Sequence, residues 1–191
     1  LNPYAEMVRG YRQYSRSVMS AQFELKQDLS SLAEGLALQG LVNTRRNSYF
    51  DVTRAYQPFW YQTSSYDRLT DTYNLSLLNE GDGTEYLDYN PGSKTVSSTF
   101  YFQSNLSYQN SFLDRHDISG QLVVTARNEV TGNADDLQSS LPYRNIGLAG
   151  RATYTYDSRY YLEFNFGYNG SERFHESHRW GFFPSAGVAW N

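Results

Sequence analysis

The chain has 191 residues, of which 39% are hydrophobic and 19% charged, and its formal net charge is −4. This acidic balance argues against a general nucleic-acid binder, whose surface would be basic. The absence of Cys excludes disulfides and thiolate chemistry. A mean hydropathy of −0.66 and the lack of a long apolar run exclude a membrane-spanning helix. A membrane-spanning β-strand stays open, because only every second side chain of such a strand contacts lipid.

Alternation of apolar and polar residues predicts seven strands. They cover residues 18–29, 36–48, 96–112, 118–129, 146–157, 160–169 and 182–191. Strands of soluble sandwiches are mostly about five or six residues long, whereas the stretch 146–157 has twelve. At about 3.3 Å per residue and a tilt near 45°, it projects to roughly 28 Å, close to the ~25 Å apolar band of an outer-membrane barrel. The sequence therefore predicts an all-β fold, an antiparallel transmembrane β-barrel segment.

The predicted connections alternate in length, as short periplasmic turns and long extracellular loops do. The short connections are 30–35, 113–117 and 157–159, and the long ones are 49–95, 130–145 and 170–181. Within the longest, residues 79–85 contain two Gly and predict a hairpin tip between the runs 75–78 and 86–89.

Charged residues within the predicted strands lie on the polar parity, which we expect to face the barrel lumen. Placing one Arg or Lys at the bilayer midplane would cost about 2–4 kcal/mol, so the lipid side should exclude them. The candidates for the lumen side are Glu24, Lys26, Arg127, Glu129, Arg151 and Glu163.

Aromatic residues of the apolar parity collect near both strand ends, which predicts two interface girdles. Near the short turns lie Tyr108, Phe112, Tyr154, Tyr156, Tyr160 and Trp190. Near the long loops lie Phe100, Phe102, Phe166, Tyr168 and Phe182. A soluble core filled by aromatics would not explain their collection at both ends.

Catalytic chemistry has little support, and we expect neither an enzyme nor a cofactor or metal. His175 and His178 have His-x-x-His spacing, but no helix is predicted to place them on one face. Arg9, Arg12 and Arg16 precede the first predicted strand, where their guanidiniums could bind lipopolysaccharide phosphates. The plainer interpretation is that these three charged residues only keep a loop soluble.

Seven strands do not complete a barrel, because bacterial single-chain barrels have an even count and an open edge in lipid leaves backbone groups unpaired. We therefore expect residues 1–191 to be a partial barrel domain without independent function. The chain begins at Leu1 without an initiating Met, a basic region or an apolar run. This start predicts a removed signal or an internal piece of a longer chain.

Several motifs resemble the barrel of the SusC/RagA family of TonB-linked outer-membrane transporters. They are Leu-Pro-Tyr-Arg-Asn at 141–145, Gly-Leu-Ala-Gly-Arg at 147–151, Tyr-x-Tyr-Asp-x-Arg-Tyr at 154–160, Glu-x-Asn-x-Gly-Tyr-Asn-Gly-Ser-Glu at 163–172 and Gly-Phe-Phe-Pro-Ser at 181–185. Residues 14–16, 22–29 and 49–51 are similar to that family as well. The resemblance covers most of the chain and weakens between about 61 and 94.

This resemblance implies a 22-stranded barrel with a plugged lumen in the outer membrane of a Gram-negative bacterium. It implies import of oligosaccharides, or of peptides in some members. The implied partners are a SusD-like surface lipoprotein as the lid, TonB acting through a plug region, and outer-membrane lipid. The plug, a signal peptide and the remaining strands are expected to be absent from residues 1–191, so no energy-coupling residue can be assigned.

A second class of function stays open at this point. A soluble carbohydrate-binding β-domain would use aromatic residues such as Trp60, Tyr61, Tyr66 and Trp180 to stack on sugar rings. The two classes differ in a simple property: a barrel piece needs detergent and its missing strands to fold, whereas a binding module is soluble alone.

Overall fold

The structure of the protein, a computed structural model, describes residues 2–191. Its strands are β1 (Gly10–Asp28), β2 (Leu36–Ala55), β3 (Tyr61–Asp67), β4 (Thr72–Leu77), β5 (Asp88–Phe112), β6 (His116–Thr131), β7 (Tyr143–Tyr156), β8 (Tyr160–Ser171) and β9 (Trp180–Trp190). The short helices α1 (Pro3–Val8) and α2 (Leu137–Ser140) and a 3₁₀ turn at Glu176–His178 complete the regular structure. Across residues 2–191, no helix has the length and apolar character needed to cross a membrane.

Two compact units divide the chain. One comprises Leu1–Ser17 and Ser48–Thr95, and the other comprises Val18–Asn47 and Val96–Asn191. We refer to them as unit 1 and unit 2. Strands β1, β2 and β5 each contribute residues to both units.

Unit 2 contains a seven-stranded antiparallel sheet with the strand order β1-β2-β5-β6-β7-β8-β9. The pairing is unbroken from β5 to β9, from Phe112 opposite His116 to Tyr160 opposite Trp190. The sheet is not closed, since β1 and β9 are its outer strands. This architecture confirms the predicted all-β fold and the antiparallel arrangement of the seven strands.

Two hairpin turns of unit 2 have the backbone twist that suits antiparallel strands. At the β7–β8 turn, Asp157 and Ser158 have φ of 52° and 53°, and the Arg159 N–H donates to the Tyr156 carbonyl at 3.0 Å. The β5–β6 turn repeats this geometry with φ of 52° at Leu113 and 55° at Asp114. Positive φ at both central residues defines the type I′ hairpin turn, which normally takes Asn or Gly. Both connections are short, as the sequence predicts for 113–117 and 157–159.

Unit 1 contains the β3–β4 hairpin together with segments of β1, β2 and β5. In the hairpin, Tyr61 pairs with Leu77 and Tyr66 with Tyr73, with a bulge between Thr63 and Ser65. The bulge keeps Tyr61, Tyr66 and Tyr73 on one side of the hairpin, because it absorbs the residue that would otherwise reverse the alternation. The Tyr66 and Tyr73 rings lie 4.7 Å apart and both side chains are exposed.

The described part of the chain, residues 2–191, has no buried hydrophobic residue. The buried residue of polar or charged type is Asp51, which is 4% exposed. A soluble domain of this length normally buries most of its apolar side chains in a core. The apolar side chains of this sheet therefore stay at least partly exposed in the described part of the chain.

Two sequence predictions differ from the structure. Residues 49–95 were expected to form one long connection, but β2 continues to Ala55, β5 begins at Asp88, and the β3–β4 hairpin lies between them. The predicted hairpin tip at 79–85 is wrong, because β4 pairs with β3 and the actual tip is at 68–71. Residues 79–85 instead join β4 to β5. Their two Gly suggested a turn, whereas the true tip contains no Gly and uses Asp71 at a φ of 51°.

Candidate functional site

The registers of β5–β9 place polar and apolar residues on opposite faces of the unit 2 sheet. Residues directly opposite each other in antiparallel strands lie on the same face, so each paired set forms a row. One face, which we call the polar face, contains the rows Ser107–Gln121–Arg151–Asn165–Ser185 and Gln109–Ser119–Thr153–Glu163–Gly187. The other, the apolar face, contains the rows Leu106–Leu122–Gly150–Phe166–Pro184 and Ser104–Val124–Leu148–Tyr168–Phe182.

The six charged residues predicted for the lumen side form three ion pairs among themselves. The pairs are Glu24–Lys26 at 3.1 Å, Arg127–Glu129 at 2.8 Å and Arg151–Glu163 at 2.9 Å. Two of them join residues two positions apart on one strand. The third joins β7 to β8 along a diagonal of the register. Opposite charges at such neighbouring positions of one face attract each other.

Neutral polar groups extend this network. The Gln39 side-chain amide donates to Glu24 at 2.7 Å, and the Asn165 amide donates to Glu163 at 2.8 Å. Across the β6–β7 pair, the Ser119 and Thr153 hydroxyls lie 2.6 Å apart. The polar face thus carries paired charges and hydrogen-bonding groups, which suit contact with water and polar solutes.

At the end of the short turns, the apolar face carries an aromatic row. It contains Phe112, His116, Tyr156, Tyr160 and Trp190, which are paired in order across five strands. The rings contact each other: His116 lies 5.0 Å from Tyr156, and Tyr156 lies 6.4 Å from Tyr160. His116 Nδ1 also hydrogen-bonds the Tyr154 hydroxyl at 2.7 Å. The sequence predicts His116 within the short connection 113–117, whereas in the structure it begins β6 within this row.

At the opposite end, a second group of aromatic side chains surrounds Trp180. Its ring stacks on Tyr168 at 5.0 Å and 14°, and Phe182 lies 6.2 Å from Phe166. Tyr156 of the first row and Ile146, which is paired in the row of Phe102, are ten positions apart on β7. At about 3.4 Å per residue and a tilt of 35–45°, the two rows are separated by roughly 24–28 Å along the axis of a barrel.

Two glycines of the apolar face accommodate these rings. Gly150 lies directly opposite Phe166, and a Cβ at Gly150 would collide with the Phe166 ring. Gly170 lies opposite Trp180, and a Cβ there would approach the indole to 2.6 Å. Each aromatic ring therefore covers the backbone of a glycine on the neighbouring strand, an arrangement known to support strands that contain glycine.

In unit 1, the exposed Arg12 side chain pairs with the buried carboxylate of Asp51. Arg12 Nε donates to Asp51 Oδ2 at 2.8 Å, and the Ser93 backbone N–H donates to Asp51 Oδ1 at 2.8 Å. The hydrogen bond from Arg12 holds the pKa of the Asp51 carboxyl below its ordinary value, against the opposing effect of burial. Asp51 thereby joins β1, β2 and β5 within this unit. Nothing in the sequence pattern singles it out.

The three arginines proposed as lipopolysaccharide contacts have different environments. Arg12 is occupied by Asp51 and also lies 3.4 Å from the Tyr49 hydroxyl. Arg9 donates to the Tyr56 carbonyl at 3.1 Å and pairs with Glu6 at 3.5 Å. Arg16 has an exposed side chain on β1. Lipopolysaccharide binding by these residues stays a prediction.

His175 and His178 lie together at the 3₁₀ turn before β9. The Ser177 hydroxyl lies 2.9 Å from His175 Nδ1 and 2.8 Å from His178 Nδ1. Among residues 2–191, no group of three or more His, Cys, Asp or Glu side chains is placed to hold a metal ion. The arrangement is a local hydrogen-bonded turn.

The fold, one seven-stranded antiparallel sheet with long strands that is not closed, is similar to part of a chain of known structure and is consistent with a barrel fragment. The aligned protein is a chain in the structure of the RagAB peptide transporter, with a TM-score of 0.56 and 15% sequence identity. The alignment covers 97% of the present chain and 20% of that chain, so this chain spans about a fifth of the length of the chain it matches. No family model matches the sequence. No curated protein matches it either.

Proposed function

We propose that this chain is part of the barrel wall of a SusC-like, TonB-dependent transporter in the outer membrane of a Gram-negative bacterium. In this role the polar face lines the lumen, the apolar face contacts lipid, and the two aromatic groups lie at the two membrane interfaces. The chain contributes structure and a solute-contacting surface, and no catalytic step.

The observation that carries this proposal is the alignment of the two faces over five strands, combined with the absence of buried apolar residues in 2–191. Apolar side chains on one face need a nonpolar environment, and the chain supplies none. A bilayer supplies it over a band of about 25 Å, which agrees with the separation of the aromatic rows. The three ion pairs on the opposite face suit an aqueous lumen.

Substrate and partners follow from the same proposal at a finer level. A transporter of this class would import oligosaccharides or peptides together with a SusD-like lipoprotein and with energy delivered by TonB. The likeness to the RagAB peptide transporter supports a peptide substrate. Disrupting the gene and comparing growth on peptides with growth on oligosaccharides would decide between the two substrate classes.

Cysteine labelling tests the membrane orientation directly, because residues 1–191 contain no Cys. In the full-length protein, with any other Cys replaced, single cysteines at Ala149, Arg151 and Thr153 should react with a charged, water-soluble maleimide. Cysteines at Leu148 and Ala152, on the apolar face of the same strand, and at Val124, opposite Leu148 on β6, should react only after the membrane is dissolved and the protein denatured.

Each outcome of the labelling discriminates. The reverse pattern would show that the apolar parity faces the lumen. Equal labelling of all six positions in intact membranes would favour the soluble carbohydrate-binding alternative, for which the exposed Tyr66–Tyr73 pair would be the stacking surface.

Transport is tested separately by deleting residues 146–169, which removes most of the β7–β8 hairpin. The remaining strands would lose their pairing across this gap, so the barrel should fail to assemble and uptake should cease. Retained uptake would show that this region is an appendage to the pore.

A further inference from the structure

Two rows of the register end the polar face of unit 2 on the side of the long loops. The first contains Tyr101, Arg127, Asn145 and Ser171. It is extended by Arg179, whose carbonyl accepts from the Ser171 N–H at 3.1 Å. The second row contains Thr99, Glu129 and Tyr143. Arg179 therefore adds a cation to the face that already carries the Arg127–Glu129 pair.

A third arginine, Arg173, is held on the same face by an aromatic ring. Its guanidinium lies over Tyr143, with Cζ 4.3 Å from the ring centroid. The Tyr143 hydroxyl accepts from the Asn145 side-chain amide at 2.9 Å, so the ring is anchored to the neighbouring row. A cation on an aromatic face is attracted to the ring, while the N–H donors of a guanidinium stay free for a further partner.

Neither Arg173 nor Arg179 has a carboxylate within 4.0 Å of its guanidinium among residues 2–191. The other arginines of the polar face on β6 and β7, Arg127 and Arg151, are each paired with a glutamate. Arg173 and Arg179 thus differ from them in having no counter-charge within the described part of the chain. Unpaired guanidiniums favour an anionic ligand, because hydrogen bonds between two charged groups are the stronger ones.

Both guanidiniums border one cavity of about 830 Å³, which is within the usual size range of ligand sites. Its lining includes Gln138, Ser139, Tyr143, Arg173 and Arg179. Two carboxylates also border it. That of Glu172 pairs with Arg144 at 3.5 Å, and that of Asp136 accepts from the N–H and the hydroxyl of Ser139, both at 2.8 Å. The three arginines outnumber the two carboxylates, so the cavity has a positive excess.

We propose that Arg173 and Arg179 bind a carboxylate of an imported peptide. The inference rests on the proposed function, in which the polar face lines the lumen and the long loops lie outside the cell. Arg173 is exposed and makes the main contact through two parallel hydrogen bonds, whereas the half-buried Arg179 adds charge. The aromatic ring at the cavity, Tyr143, lies under Arg173, which leaves less ring surface for a sugar. The site therefore favours acidic peptides over neutral ones.

The test uses the purified full-length protein in detergent and a matched pair of short peptides with blocked termini. One peptide contains Glu where the other contains Gln, and a uronic-acid oligosaccharide is the third probe. Binding is measured by titration calorimetry at low and high salt. The Glu peptide should bind about tenfold more tightly than the Gln peptide at low salt, and this preference should shrink as salt screens the charges.

Arg173→Gln should remove most of the preference for the Glu peptide, and Arg173→Gln/Arg179→Gln all of it, while affinity for the Gln peptide stays the same. The control is Arg159→Gln, an exposed arginine at the β7–β8 turn paired with Asp157 at 3.9 Å, which should leave the preference intact. Heat-modified mobility on gels verifies that each variant has assembled. Should the double variant not assemble, Arg173→Gln, at an exposed loop position, still decides.

Several results would overturn the proposal. Equal affinity of the parent for the two peptides, or no binding of either, would remove the role of the carboxylate. An unchanged preference in the assembled variants would remove Arg173 and Arg179 from the site. Tighter binding of the uronic-acid oligosaccharide than of the Glu peptide would overturn the assignment to peptides. Failure of the transporter proposal is read independently, from the cysteine labelling of β6 and β7, which does not involve this cavity.

Discussion

Leu148 and Ala149 are neighbours on β7, yet they belong to opposite faces whose stability has different origins. Leu148 lies in a row with Val124 and Tyr168, whereas Ala149 lies in a row with Val123 and Gly167. The polar face satisfies its charges within the chain through three ion pairs. The apolar face has no buried hydrophobic side chain among residues 2–191. The charges of the polar face are therefore paired within the chain, whereas the apolar face depends on a nonpolar environment around the protein.

The largest expected effect comes from placing a charge on the dependent face. Leu148→Arg in the full-length protein should cost about 2–4 kcal/mol, the penalty for Arg near the bilayer midplane. Ala149→Arg, one residue away on the polar face, should be tolerated. Assembly is measured by urea unfolding in lipid vesicles and by heat-modified mobility on gels. Equal loss in both variants would show that the two faces do not differ in environment.

A second, smaller effect is expected at Asp51, which is buried, unlike the half-exposed ion pairs of the polar face. The pKa of Asp51 is lowered chiefly by the hydrogen bond from Arg12. The ionised carboxylate therefore stabilises unit 1 fully at pH values above about 3.9, the pKa of Asp in an unfolded chain. That contribution should persist at neutral pH and disappear as the pH falls from about 3.9 through the lower folded pKa. The acid dependence should be absent in Asp51→Asn.

The measurement for Asp51 is hydrogen exchange of residues 88–95, which include the Ser93 amide that donates to its carboxylate. Protection, corrected for the intrinsic rate, should fall in acid for the parent and stay low at all pH values in Asp51→Asn. A parent whose protection does not change with pH would contradict a role for the ionised carboxylate.

The β7–β8 turn offers a third test, about the backbone and not about either face. Ser158 has a φ of 53° without being Gly, which typically costs about 1 kcal/mol. Ser158→Gly creates the Asp-Gly pair favoured in type I′ turns and should raise stability by up to about 1 kcal/mol. Ser158→Ala keeps a Cβ and should not. Urea midpoints of the two variants decide the matter, and a stabilising Ala would contradict this explanation.

The smallest effect is expected for Glu163→Gln on the polar face. Its ion pair with Arg151 is exposed, with about half of each side chain accessible, and exposed pairs contribute little to stability. Asn165 can still donate to the new amide oxygen. Unfolding in urea should match the parent within error. A clear loss of stability would show that the polar face is less well hydrated than proposed.

Much of unit 2 was predictable because apolar and polar residues alternate over most of its strands, with few exceptions such as Leu41. All seven strands were expected, and their shared faces follow from parity alone. The strand segments of unit 1 on β2 and β5 were missed because Tyr49-Phe50 breaks the alternation on β2 and because Pro91-Gly92 on β5 is typical of a turn. Backbone hydrogen bonds between strands tolerate these irregularities. The side-chain pattern therefore does not reveal that these segments are strands.

The sequence predicts the charged residues of the polar face, but it predicts their ion pairs only where the two residues are close together in the sequence. Glu24–Lys26 and Arg127–Glu129 are two positions apart and visible in the sequence. Arg151–Glu163 requires the β7–β8 register.

The rings that cover Gly150 and Gly170 bear on how the strands find their correct alignment. A slip of one residue would move every side chain to the wrong face and be rejected by polarity, but a slip of two would preserve both faces. After such a slip Phe166 would meet Ala152 or Leu148 in place of Gly150, and its ring would collide with a side chain. A glycine opposite an aromatic ring thus disfavours a two-residue error in strand register, which the partition of side chains between lipid and water would not prevent.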